Sequence, residues 1–70
     1  MGKKKEEFEE YEVQVLYGSI NVRKDPFVED GNIIRVLPIK TIVKVIGEYR
    51  GWLQIEPVGW IMAKYCEPVF

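Results

Sequence analysis

The sequence predicts an all-β protein, a small and partly open barrel of five or six antiparallel strands with one turn of 3₁₀ helix near Ala63 to Tyr65. Three observations carry this. From Tyr11 onward, β-branched and aromatic residues come in short bursts, each closed by Gly, Pro, Asn or Asp. Seventy residues leave room for one small domain and no second one. A single cysteine, Cys66, allows no intramolecular disulfide and no thiolate metal cluster, so the fold must stand on packing alone.

The elements follow in order. Residues 1–10 alternate a lysine run with a glutamate run around Phe8 and read as a solvated charged tail, leaving residues 11–70 as the domain. In Tyr11 to Tyr17, alternation places Tyr11, Val13, Val15 and Tyr17 on one side of a strand and Glu12, Gln14 and Leu16 on the other. Gly18-Ser19 ends it. The short stretch Ile20 to Arg23 points Ile20 and Val22 inward and turns Asn21 and Arg23 to the adjoining loop, where Asn21 is expected to bond loop backbone. Lys24 to Asn32 collects turn formers at both ends and reads as a long hairpin loop with an acidic rim. Ile33 to Leu37 is a strand ended by Pro38, which has no N–H for a central ladder. Thr41 to Tyr49 is the longest strand, with Val43 and Val45 inward and Ile42 and Ile46 on the face of Lys44, half-exposed or under a loop. Arg50-Gly51 and Pro57-Val58-Gly59 are turns into Trp52 to Glu56 and Trp60 to Met62. Cys66 to Val69 closes the sheet.

Composition excludes several functions. Ten Lys and Arg against eleven Asp and Glu, a formal charge of -1, provide no broad basic field for duplex nucleic acid. The sequence has no histidine, hence neither the commonest general base nor the commonest zinc ligand. No metal site or cofactor is expected. Glu48 and Glu56, on adjoining strands, are the one carboxylate pair to weigh for glycosidase chemistry, and they read as solvated strand-end charges, so the expectation is a protein that is not an enzyme. The longest apolar runs are broken by Arg35 and Lys44, far short of a membrane span. The amino terminus is charged where a secretory signal has its apolar stretch. The chain therefore reads as cytoplasmic, released by lysis, or excised from something larger.

Three segments stand out together: Ile20-Asn21-Val22-Arg23 with Pro26 shortly after, Gly51-Trp52-Leu53-Gln54-Ile55, and Gly59-Trp60-Ile61-Met62-Ala63-Lys64-Tyr65. This set resembles the bacterial Src homology 3 family, over about residues 13–69. The resemblance implies a Src homology 3-like barrel and a non-catalytic binding module, with bacterial cell-wall peptidoglycan, particularly its stem or bridge peptide, as ligand. An aromatic groove floored by Tyr17, Trp52 and Tyr65 is implied, with Asn21, Asp25 and Glu29 supplying polar contacts from the loop. Where the family pattern usually has glycine, this chain has Asp25. Met62 and Lys64 stand where peptide-binding eukaryotic relatives place a groove proline and asparagine, which weighs against a proline-rich ligand.

Physics gives its own reading of the same residues. Glycine before each tryptophan allows a positive φ at the turn into a strand. Leu53 and Ile55 fill the inward positions of their strand, leaving Trp52 exposed at a rim, whereas Ile61 and Ala63 flank a partly buried Trp60. With Tyr17 and Tyr65 beside it, as the resemblance implies, an exposed tryptophan would mark a recognition surface. Cys66 reads as a small packing residue. The competing function is a protein–protein adaptor or structural component, of a phage or an intracellular assembly, taking an extended or proline-containing peptide in the same groove. A monomer is expected rather than an oligomer that buries Trp52 against itself.

Overall fold

The computed structural model describes residues 8–69. The Lys3 to Lys5 run, Glu6, Glu7 and Phe70 lie outside the described residues, and Phe8, Glu9 and Glu10 form no regular element. The described chain is all-β: β1 Tyr11–Val15, β2 Ser19–Arg23, β3 Ile33–Pro38, β4 Ile42–Tyr49, β5 Trp52–Ile55, β6 Trp60–Met62, a 3₁₀ turn Ala63–Tyr65, and β7 Cys66–Val69. Every pairing is antiparallel, and one curled sheet runs in the order β3, β2, β6, β5, β4, β1, β7. This is a small barrel-like fold with β3 and β7 at its edges.

The strand beyond the expected five or six is β2. Five residues make a weak strand alone, but β2 is paired along β3, from Ser19 opposite Pro38 to Arg23 opposite Ile33, and meets β6 at Arg23 opposite Trp60. Ile20 and Val22 point inward and are buried. They join Val13, Val15, Leu37, Val45, Leu53, Ile55 and Ile61 in one core contributed by six strands. At about 25 cal/mol per Å² of apolar surface removed from water, this shared burial is what holds the short strands together. Alternation therefore placed the inward residues of β2, β4 and β5 as observed.

It failed at the end of β1. The ladder stops at Val15, and Tyr17 does not continue the inward row but stands 55% exposed. The cause is a corner in which backbone groups change partners: Val15 accepts from the Lys40 N–H at 2.9 Å, Leu16 donates to the Tyr65 carbonyl at 2.9 Å, and Gly18 accepts from Ile39 at 3.0 Å. The same corner brings Tyr17 to the 3₁₀ turn.

Two bulges bend the sheet. One, between Val22 and Arg23, leaves Ile34 of β3 as an extra residue, and the other, between Val45 and Gly47, does the same to Ile46 of β4. Between β4 and β5 the turn places Arg50 at φ 47° and Gly51 at φ 87°, two successive left-handed residues of the kind that match strand twist in tight hairpins. Edge strand β3 leaves Ile33, Ile34 and Val36 exposed, interrupted by Arg35.

At the start of β1, opposite Val45, the Tyr11 hydroxyl donates a 2.5 Å hydrogen bond to Glu48 of β4. Partial burial, then this hydrogen bond and the negative charge of Glu48, push the Tyr11 phenol up to about 12. The neutral phenol is thus favoured in the folded state, and a folded value above the unfolded one contributes stability that is complete below pH 10.0 and lost as pH rises through about 12. Tyr11→Phe is expected to flatten the stability difference in that window, and an ultraviolet absorbance titration should lose its late-ionising phenol. Unchanged titration in the variant would contradict the assignment.

Candidate functional site

The β2 to β3 hairpin folds its loop back toward β5, β6 and the 3₁₀ turn. Between them lies a pocket of about 190 Å³ lined by Ile20, Asn21 and Arg23 of β2, Val28 of the loop, Trp52 of β5, Met62 of β6, and Tyr65 of the turn. Ladder register sets Trp52 directly opposite Met62, so indole and thioether stand side by side as one wall. They also line a shallower depression on their other side, with Arg50, Gly51, Ala63 and Lys64. Trp52 and Met62 thus form a ridge between two concavities.

Of the six residues singled out from the sequence, Asn21, Trp52 and Tyr65 line the pocket. Tyr17 stands beside it, its ring edge-on to Tyr65 at 5.8 Å and 88°. That geometry suits aromatic quadrupoles and extends the aromatic surface past the pocket mouth. Trp52 is half-buried rather than exposed, because the loop and Met62 cover one side of it. Lys64 Nζ lies over the Tyr65 ring, 5.3 Å from its centroid.

Asp25 and Glu29 are placed differently. Neither lines the pocket, and both contribute main chain to the loop: Asp25 accepts from the Phe27 N–H at 2.8 Å, and Glu29 from the Asn32 N–H at 3.2 Å. The expected bond from Asn21 to loop backbone is made instead by Asn32. This residue is 2% exposed; its amide donates to the Phe27 carbonyl at 2.9 Å while its side-chain oxygen accepts from Arg23 Nη1 at 2.8 Å. A buried amide satisfied on both ends pins the loop more firmly than an exposed one does. Arg23 Nη1 also reaches the Glu29 carbonyl at 3.2 Å.

Sequence reasoning gave no site role to Ile20, Arg23 or Val28, and noted Met62 only as a departure at a groove position. For Arg23 the signal was present, since alternation from Asn21 puts both on one face of β2. Val28 had none, because its position depends on how a nine-residue loop from Lys24 to Asn32 folds back. Of the carboxylates weighed for catalysis, Glu48 is engaged by Tyr11, and Glu56 lines a separate shallow hollow with Ile42, Ile46 and Pro57. Among the described residues no cluster of His, Cys, Asp and Glu could hold a metal ion, and no helix is long and apolar enough to cross a membrane.

Cys66 is half-buried against the core, its sulfur 4.0 Å from the Met62 carbonyl. Burial pushes its thiol from 9.0 up to about 11, the reverse of what a nucleophile or redox sensor needs. At pH 8 this cuts the thiolate fraction about a hundredfold relative to an unfolded chain, so iodoacetamide should label Cys66 far more slowly in the folded protein than in denaturant. Equal labelling rates would overturn the packing role.

Compared with known proteins, the chain is matched by no family model, no curated protein and no solved structure.

Proposed function

We propose that the protein is a non-catalytic binding module whose pocket, walled by Trp52, Met62 and Tyr65 and extended by Tyr17, takes an extended peptide, and that this peptide belongs to bacterial cell-wall peptidoglycan. The observation that carries the binding reading is the convergence of Asn21, Trp52 and Tyr65, separated widely along the chain, on one pocket. The peptidoglycan assignment rests on the resemblance of the Asn21-Val22-Arg23, Gly51-Trp52 and Gly59-Trp60 segments to bacterial Src homology 3 domains. Size also bears on the ligand. About 190 Å³ is below the roughly 300–1,000 Å³ of sites that enclose a whole small molecule, so the pocket takes one residue of a chain while the rest lies along the tyrosines. Extended peptides suit such surfaces, with side chains on rings and amides at a polar rim.

The test is retention of the purified protein on insoluble sacculi, washed at high salt to strip charge-driven adsorption. Retention through the wash supports the reading, and its failure on sacculi of several wall types removes it. One observation favours a second reading, a protein–protein adaptor: the β3 edge presents Ile33, Ile34 and Val36 to solvent beside an unpaired ladder, a surface suited to another folded chain.

A further inference from the structure

Arg23 is the one cation that lines the pocket, and among the described residues no carboxylate neutralises it. Both of its recorded hydrogen bonds leave from Nη1 and end on neutral oxygens, the Asn32 side chain and the Glu29 carbonyl. Among the described residues the sole ion pair joins Lys44 to Glu10, so no carboxylate lies within salt-bridge distance of the guanidinium. A guanidinium carries five N–H donors in a rigid fork, and Nε and Nη2 retain theirs. Asn32 and Glu29 fix the fork in place at no cost to those donors. Around it, Ile20, Val28, Trp52 and Met62 line a part-open pocket, and this apolar surface strengthens the pull on a charge placed opposite the guanidinium relative to one in open water. Glu29 and Asp30 are exposed on the loop, where solvent and salt screen them.

We propose that this pocket is specific for a carboxylate, and that Arg23 is the residue that reads it: the free carboxylate end of a peptide docks on Nε and Nη2, with the small apolar side chain beside it against Trp52 and Met62. The proposal rests on the reading of this pocket as the binding site, and it is independent of whether the peptide comes from a wall polymer. It also reverses the expected polarity of the site. An acidic rim calls for a cationic ligand group, whereas the charge that lines the pocket is positive.

The experiment is a pair of titrations of the full chain, followed by nuclear magnetic resonance, with acetyl-Ala-Ala as the free acid and as its C-terminal amide. The acid is expected to bind at least about tenfold tighter, the size of one charge-assisted bidentate contact. It should shift the Trp52 indole N–H and the Arg23 Nε–H. Arg23→Gln is expected to bring acid and amide to the same affinity. Because Arg23 also ties the loop, Asn32 side-chain amide shifts report whether the loop survives, and Arg23→Lys, which keeps the charge and loses the fork, should retain part of the preference. Equal binding of acid and amide, no binding of the acid, or full acid preference in Arg23→Gln would each overturn the proposal. Retention on sacculi with no acid preference would sink the carboxylate proposal alone. Acid preference with no retention on any sacculus would remove the wall reading and leave the carboxylate site standing.

Discussion

Replacing Gly59 with alanine is expected to cost about 3 kcal/mol, enough to leave a domain of this size largely unfolded at room temperature. Two causes act together. Gly59 sits at φ 113°, a backbone conformation that L side chains rarely adopt. Its added methyl would also collide with Val22 Cγ1 and press on the Arg23 carbonyl and Ile34 Cδ1, each 3.3 Å away. Val22 is fully buried in the core and cannot give way. Gly51 is the control. It has φ 87° but open space around its missing side chain, so Gly51→Ala should cost only the backbone strain of about 1–2 kcal/mol. Urea denaturation of the two variants separates the terms, and equal losses would mean that the close approach of β2 to the Gly59 turn is wrong.

Trp52→Ala is expected to lower retention on sacculi at least about tenfold, as truncating a central aromatic anchor does in other interfaces. The variant should still fold. Trp52 is half-buried and lies outside the core cluster of Val22, Val45, Ile55 and Ile61, so its loss exposes a pocket wall without opening a cavity in the core. Far-ultraviolet circular dichroism checks that condition. Tyr17→Ala, at a residue 55% exposed, should fold like the parent and give a smaller loss of retention, since Tyr17 only extends the aromatic surface beyond Tyr65. Undiminished retention in the folded Trp52→Ala protein would place wall binding elsewhere on the surface.

How far the sequence could be read depended on whether local rules decide the outcome. Alternation sorted Val13 from Glu12, Leu53 from Trp52 and Val45 from Lys44, because one buried face imposes a period of two along a whole strand. Positive φ at Gly51 and Gly59 was legible for the same reason: each glycine stands just before an aromatic strand start. The strand read as running to Tyr17 ends at Val15, where a corner, held by backbone bonds to Lys40, Ile39 and Tyr65, interrupts the alternation. Those partners are distant in sequence. Asn32 took the role expected of Asn21 because it lies buried within the loop, where its two ends meet the Phe27 carbonyl and the Arg23 guanidinium, whereas Asn21 is exposed on β2. The aromatic part of the candidate site was visible as residue types. Its charged part was not, since Asp25 and Glu29 were expected to supply the polar contacts and neither lines the pocket, whereas Arg23, given no site role, does.

The central claim is that the pocket between the hairpin loop and the Trp52–Met62 ridge is where wall peptide binds. Chemical-shift mapping with soluble peptidoglycan fragments tests it most directly, because every described residue reports its own surroundings. The account predicts shifts centred on Asn21, Arg23, the Trp52 indole and Tyr65, fading toward Ile42 and Pro57 on the far hollow. Shifts centred on that far hollow or on the β3 edge, or none at saturating fragment, would contradict it.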